Sequence, residues 1–126
     1  MKKLVPSVFM LAAALAVARP VHADSNEAMA ERAASLLESA ASLVDRDRGK
    51  CDQMGDDLSG FIDAKSGDID ALRSWGMHLT SAERRALSAK YKARFDAVGG
   101  RLRSGIVPCM GNSKVRGALS KVGLGG

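Results

Sequence analysis

The feature that most constrains this chain is a symmetry of spacing. Its two cysteines, Cys51 and Cys109, each stand 29 residues from Thr80, which opens the clearest helix start in the sequence. Thr80, Ser81, Ala82 and Glu83 have the form of a capping box, in which the threonine hydroxyl and the glutamate carboxylate satisfy each other's backbone N–H groups. If one helix enters that turn and another leaves it antiparallel, positions 51 and 109 come level. A disulfide needs its Cα atoms within about 7 Å, so the spacing predicts a Cys51–Cys109 bridge that staples the open end of a helical hairpin.

Such a bridge belongs in an oxidising compartment, and the N-terminus supplies the route. Lys2 and Lys3 precede an apolar run over residues 4–18, and Val21, His22 and Ala23 place small residues where signal peptidase cuts. The pattern predicts a signal peptide over 1–23, cleavage after Ala23, and a periplasmic or secreted domain over 24–126. A cut after Ala18 also fits, but it leaves Arg19 and Pro20 immediately beyond it. An uncleaved anchor is the competing reading, disfavoured because Pro6 and Ser7 interrupt a run already short of the roughly 20 residues of a membrane span.

Cleavage changes the charge. Lys2, Lys3 and Arg19 leave with the signal, and the net charge falls from +5 to +2, which removes most of the case for a nucleic-acid partner. The distribution says more than the sum: residues 24–70 carry −7 and residues 71–126 carry +9. Acidic and basic helix faces can pair within the fold, two molecules can pair head to tail, or the basic half can meet an anionic envelope surface. Pairing within the fold is the simplest of these.

Apolar residues recur at helical spacing along the mature chain. Asp24 and Glu27 stand at capping-box distance ahead of Met29, Ala33, Leu36, Leu37, Ala40, Leu43 and Val44, giving a helix over about 26–47 that stops near Gly49. From Cys51 a stripe runs through Met54, Leu58, Phe61 and Ile62 and resumes in phase at Ile69, Leu72, Trp75 and Gly76. The phase favours one long helix kinked near Ser66, Gly67 and Asp68, which could instead end one helix and start another. After Thr80, the buried face is marked by Leu87, Tyr91, Phe95, Val98 and Leu102, and Gly99 and Gly100 either end or loosen the helix. Residues 104–108 read as irregular because of Pro108, and a short helix follows over 113–122 with Val115, Ala118, Leu119 and Val122 inward. The tail over 123–126 is expected to fray. The fold class is all-α: a small antiparallel bundle of three main helices plus a short C-terminal one, with one disulfide.

No catalytic or cofactor motif emerges. His78 is the one histidine of the mature chain, so a Ser-His-Asp or Cys-His mechanism would have to be built around it, and neither bridged cysteine is free to act as its nucleophile. Zinc and haem sites need Cys and His sets that the chain lacks. The acidic stretch from Asp45 to Asp57 departs from the EF-hand pattern, with Gly49 one position early and Arg48 and Lys50 among the would-be ligands. The expectation is therefore a protein that is not an enzyme and has no metal or cofactor. One binding candidate is the basic set Arg84, Arg85, Lys90, Arg94 and Arg101 on the third helix, accompanied by Lys92 and Arg103. With Tyr91 and Phe95 assigned to the core, no aromatics remain there to stack bases.

At Leu79, Thr80, Ser81, Ala82, Glu83 and Arg84 the chain resembles the L-T-x-x-Q element of the Spy and CpxP family of small, helical, periplasmic, ATP-independent chaperones and stress sensors, with Glu83 in place of the family's Gln. Acid-stress chaperones of the HdeA type look similar in architecture, as small exported helical proteins with one disulfide. The resemblance implies a holdase-like function on unfolded or envelope proteins. The other expectation is an envelope-associated adaptor whose basic third helix docks on anionic lipid or polysaccharide.

Overall fold

A computed structural model describes residues 20–124. The charged start and apolar run of the expected export signal lie outside the described residues. About 85% of the described residues are helical, and none of them lies in a strand. The helices are α1 (Pro20–Arg46), α2 (Cys51–Ala64), α3 (Ser66–Met77), α4 (Ser81–Ile106) and α5 (Ser113–Ser120), with a 3₁₀ turn at Val107–Cys109 before α5.

Several local expectations change. The first described helix runs over Pro20–Arg46, so its backbone passes through Asp24 and Glu27 instead of starting there. Gly49, at φ +80°, closes the α1–α2 turn. The favoured single helix over 51–76 is two helices, divided at Lys65 alone, yet Lys65 N–H still donates to Phe61 O and Ile69 N–H to Lys65 O, both at 2.9 Å. Residues 104–106 are helical rather than irregular, because α4 passes through Gly99 and Gly100 and Pro108 falls in the first turn of the 3₁₀ segment, where it needs no N–H. Gly123, also at φ +80°, closes the end of α5: Leu124 N–H donates to Leu119 O at 2.9 Å, an arrangement that only an αL residue permits cheaply.

The predicted bridge is present, with Cys51 and Cys109 Cα atoms 5.3 Å apart. The two arms of the hairpin are nevertheless not each other's main partners. α4 packs chiefly on α1, and α5 on α2. Both pairs run parallel. Glu27 meets Lys90, Glu31 and Glu38 meet Arg94, and Asp45 meets Arg101 along α1 and α4. Asp52 meets Asn112, Asp56 meets Lys114 and Asp63 meets Lys121 along α2 and α5. The acidic and basic halves of the chain thus pair within the fold, helix against helix.

The burial pattern explains the parallel pairing. On α1 the buried positions are Ala30, Ala34, Ala41 and Val44, not the larger Met29, Leu36 and Leu37 expected to lead the stripe. On α4, Tyr91, Val98 and Gly105 recur every seven residues, the period of helices that pack along a shared seam. Small alanines let the helices approach while the carboxylates and guanidinium groups beside them close the flanks. A Cβ on Gly105 would collide with the Val44 side chain, and one on Gly55 would lie 2.5 Å from Lys114 Cβ and 2.7 Å from Val115 N. One glycine therefore permits close approach in each parallel pair. Val44, Met54, Leu58, Cys109, Val115, Ala118 and Leu119 form the core around the disulfide.

Candidate functional site

α3 is the exception to this packing. It carries Ile69, Leu72 and Trp75 on one face, yet none of its residues is fully buried. Between α3 and α1 lies an open cleft of about 310 Å³. Met29 and Leu36 line it from α1, and Ala71 and Leu72 from α3. Glu31, Arg32, Ser35, Ser39, Lys65 and Asp68 form its polar rim. The large apolar residues that periodicity assigned to the core of α1 stand here, because the alanine face of the same helix is the one that meets α4.

The far end of the cleft is closed by a hydrogen-bond relay. Trp75 Nε1 donates to Asn26 Oδ1 at 3.0 Å, and Asn26 Nδ2 donates to Glu83 Oε2 at 3.0 Å. The capping box expected at Thr80 is present: Glu83 N–H donates to Thr80 Oγ1 at 3.1 Å and Thr80 N–H to Glu83 Oε1 at 2.9 Å. Glu83 thus ties the ends of three helices together. Arg84 Nη2 adds a bond to Gly76 O at 3.2 Å.

The basic set divides. Lys90, Arg94 and Arg101 face α1 and are engaged by its carboxylates at 2.7–2.8 Å. The bonds that Arg94 donates to Glu38 and then to Glu31 raise its guanidinium above its usual range, and the same bonds hold both carboxyls below theirs. Asp45 is lowered by Arg101 first and Arg48 second. Arg84 and Arg85 have no carboxylate partner among the described residues. With Ser81, Ser88, Ala89 and Lys92 they line a shallow groove on the outer face of α4.

His78 sits on the exposed α3–α4 turn, its Nδ1 2.7 Å from Ser74 O. Asp47 is buried in the α1–α2 turn, with Oδ1 3.3 Å from Arg46 Nε, and among the described residues no group of three or more His, Cys, Asp or Glu is arranged to hold a metal ion. The methionines and Trp75 divide as well: Met54 is buried, Met29 and Trp75 are half-buried, and Met77 is 74% exposed at the turn. Sequence reasoning missed Asn26, which wires the relay, and Asn112, whose Oδ1 caps α5 while its Nδ2 donates to Asp52. Asn112 carried a signal, as an N-cap residue type just before the short helix. Asn26 carried none, because its partners are 49 and 57 residues away.

Compared with protein-family models, with curated proteins and with solved structures, the chain matches none of them.

Proposed function

We propose that this is a non-enzymatic, exported, holdase-like protein that binds apolar segments of unfolded or envelope proteins in the α1–α3 cleft. The observation that carries the reading is that Met29, Leu36 and Leu72 line facing walls across an unfilled gap. In a small domain such apolar surface is ordinarily buried, and surface left open in a concave site fits a partner. On the rim, Arg32 and Lys65 have no carboxylate partner among the described residues, whereas Glu31 is engaged by Arg94. The partner segment that fits is an apolar anchor flanked by an acidic side chain. Cleavage after Ala23 would remove residues 20–23 of α1 and leave every cleft-lining residue in place.

The test is suppression of aggregation of an unfolding protein by the purified mature chain. Activity should largely survive 0.5 M salt, where the Debye length is about 4 Å, and Leu36→Glu with Leu72→Glu should abolish it. Activity that withstands the double substitution would sink the reading. The alternative, docking of α4 on anionic lipid or polysaccharide, draws its support from Arg84 and Arg85, which have no carboxylate partner among the described residues. It requires binding to anionic vesicles or acidic polysaccharide that collapses with salt and is lost in Arg84→Glu with Arg85→Glu.

A further inference from the structure

We propose that α3 is a lid on the cleft, hinged at Lys65 and fastened by a latch of three side chains, Trp75, Asn26 and Glu83, whose release admits the partner segment. The proposal rests on the reading of the cleft as the binding site and adds how access to it is controlled.

α3 has the character of a movable part. A single exposed residue, Lys65 at φ −103° and ψ 12°, divides it from α2, and no side chain caps the break. Beneath it the apolar side chains of α1 face a gap rather than interlock with it. Besides the latch and the Arg84 bond, α3 is held among the described residues by one exposed bond, from Arg73 Nη2 to Val122 O at 3.4 Å, and an element with so few buried apolar contacts can open locally while the rest of a domain stays folded. The frame to which α3 is fastened is, by contrast, rigid. Asn26 belongs to α1, which is clamped to α4 by ion pairs along its length, and Glu83 is fixed in the first turn of α4 by the capping box.

The chemistry of the latch allows one wiring. An indole N–H can only donate, so the Asn26 carbonyl must face Trp75 and the Asn26 amide must then donate to residue 83. Residue 83 must also accept the Thr80 N–H, and it needs an acceptor on each arm. A glutamate supplies two. A glutamine would turn an NH₂ toward one of the two donors. Glu83 in this chain is thus explained by the latch as well as by the cap, and capping alone would be served by either residue.

Trp75 is the chain's one tryptophan, so its fluorescence reports the latch directly. In the mature, disulfide-intact protein, Asn26→Ala should speed amide exchange across Ser66–Met77 about tenfold, as expected for loss of two partly exposed hydrogen bonds. Trp75 emission should shift to the red while exchange around the disulfide stays unchanged. Glu83→Gln should act in the same direction, whereas Thr80→Val, which removes the capping hydroxyl and keeps the Glu83 carboxylate that accepts from Asn26, should leave α3 as it is. Binding of a reduced, alkylated, permanently unfolded protein should strengthen severalfold in Asn26→Ala. If α3 exchange and Trp75 emission do not move in either latch variant, the lid is overturned, whatever the cleft binds. If they move and binding of the unfolded protein does not, the cleft reading falls while the mobility of α3 stands.

Discussion

The two ends of the molecule solve the same packing problem differently. Around the disulfide, α2 and α5 meet through Gly55 close to the α5 backbone, and Met54 and Val115 are fully buried, as is Cys109 of the bridge itself. At the α3 end, residues of similar apolar character, Leu72, Trp75, Met29 and Leu36, are only half-buried around a cleft. Hydrophobic content does not separate the ends. The difference is the means of closure, a covalent link and a glycine notch at one end and a single-residue break and hydrogen bonds at the other. One end is built to hold the fold, and the other is free to give.

The largest effect should come from the bridge. It closes a loop with a sequence separation of 58, for which chain entropy gives about 4 kcal/mol. Cys51→Ala with Cys109→Ala should lower the melting temperature by well over about ten degrees. An unchanged melt would mean that the disulfide end is not what anchors the fold.

Truncations at the two ends make the comparison direct. Met54→Ala should cost about 3 kcal/mol by creating a cavity in the closed core, whereas Leu72→Ala should cost about 1 kcal/mol or less, because Leu72 is only half-buried and its truncation beside an open cleft leaves no closed cavity. Equal losses in urea denaturation would erase the distinction. Next in size are two glycines of the same helix. Gly55→Ala should destabilise by about 1–3 kcal/mol through collision with α5, while Gly60→Ala, with open space around it, should stabilise by about 0.5–1 kcal/mol.

The smallest effect is electrostatic. Arg94 lowers the Glu31 and Glu38 carboxyls from an ordinary 4.5, so the stability they contribute is present above that pH and is lost as the pH falls through their folded values. Arg94→Met should therefore lower the melting temperature modestly at pH 7 and very little at pH 3. A deficit that stays the same in acid would show that Arg94 acts by packing rather than by charge.

The local chemistry of this chain was legible in its residues. The capping box at Thr80, the turn at Gly49, the short final helix and the cysteine pairing follow from interactions within a few residues, or from the equal length of the two chain segments that flank Thr80. The Cys51–Cys109 bridge and the all-helical class are as the sequence predicts, whereas the division at Lys65 and the helical residues 104–106 are not. Periodicity also located apolar faces, but a helix such as α1 carries two of them, and by size alone Met29 and Leu36 outrank Ala30, Ala34 and Ala41. Only the tertiary structure decided between them. The alanine face lets α1 approach α4 within reach of Lys90, Arg94 and Arg101, and those contacts join residues some sixty positions apart, beyond what any local pattern encodes. The same choice leaves Met29 and Leu36 facing α3 across a cleft and consumes three of the five basic residues that the sequence offered as a binding face. A sequence fixes which surfaces are apolar or charged, whereas which surfaces meet is settled by the shape and charge of the whole fold at once.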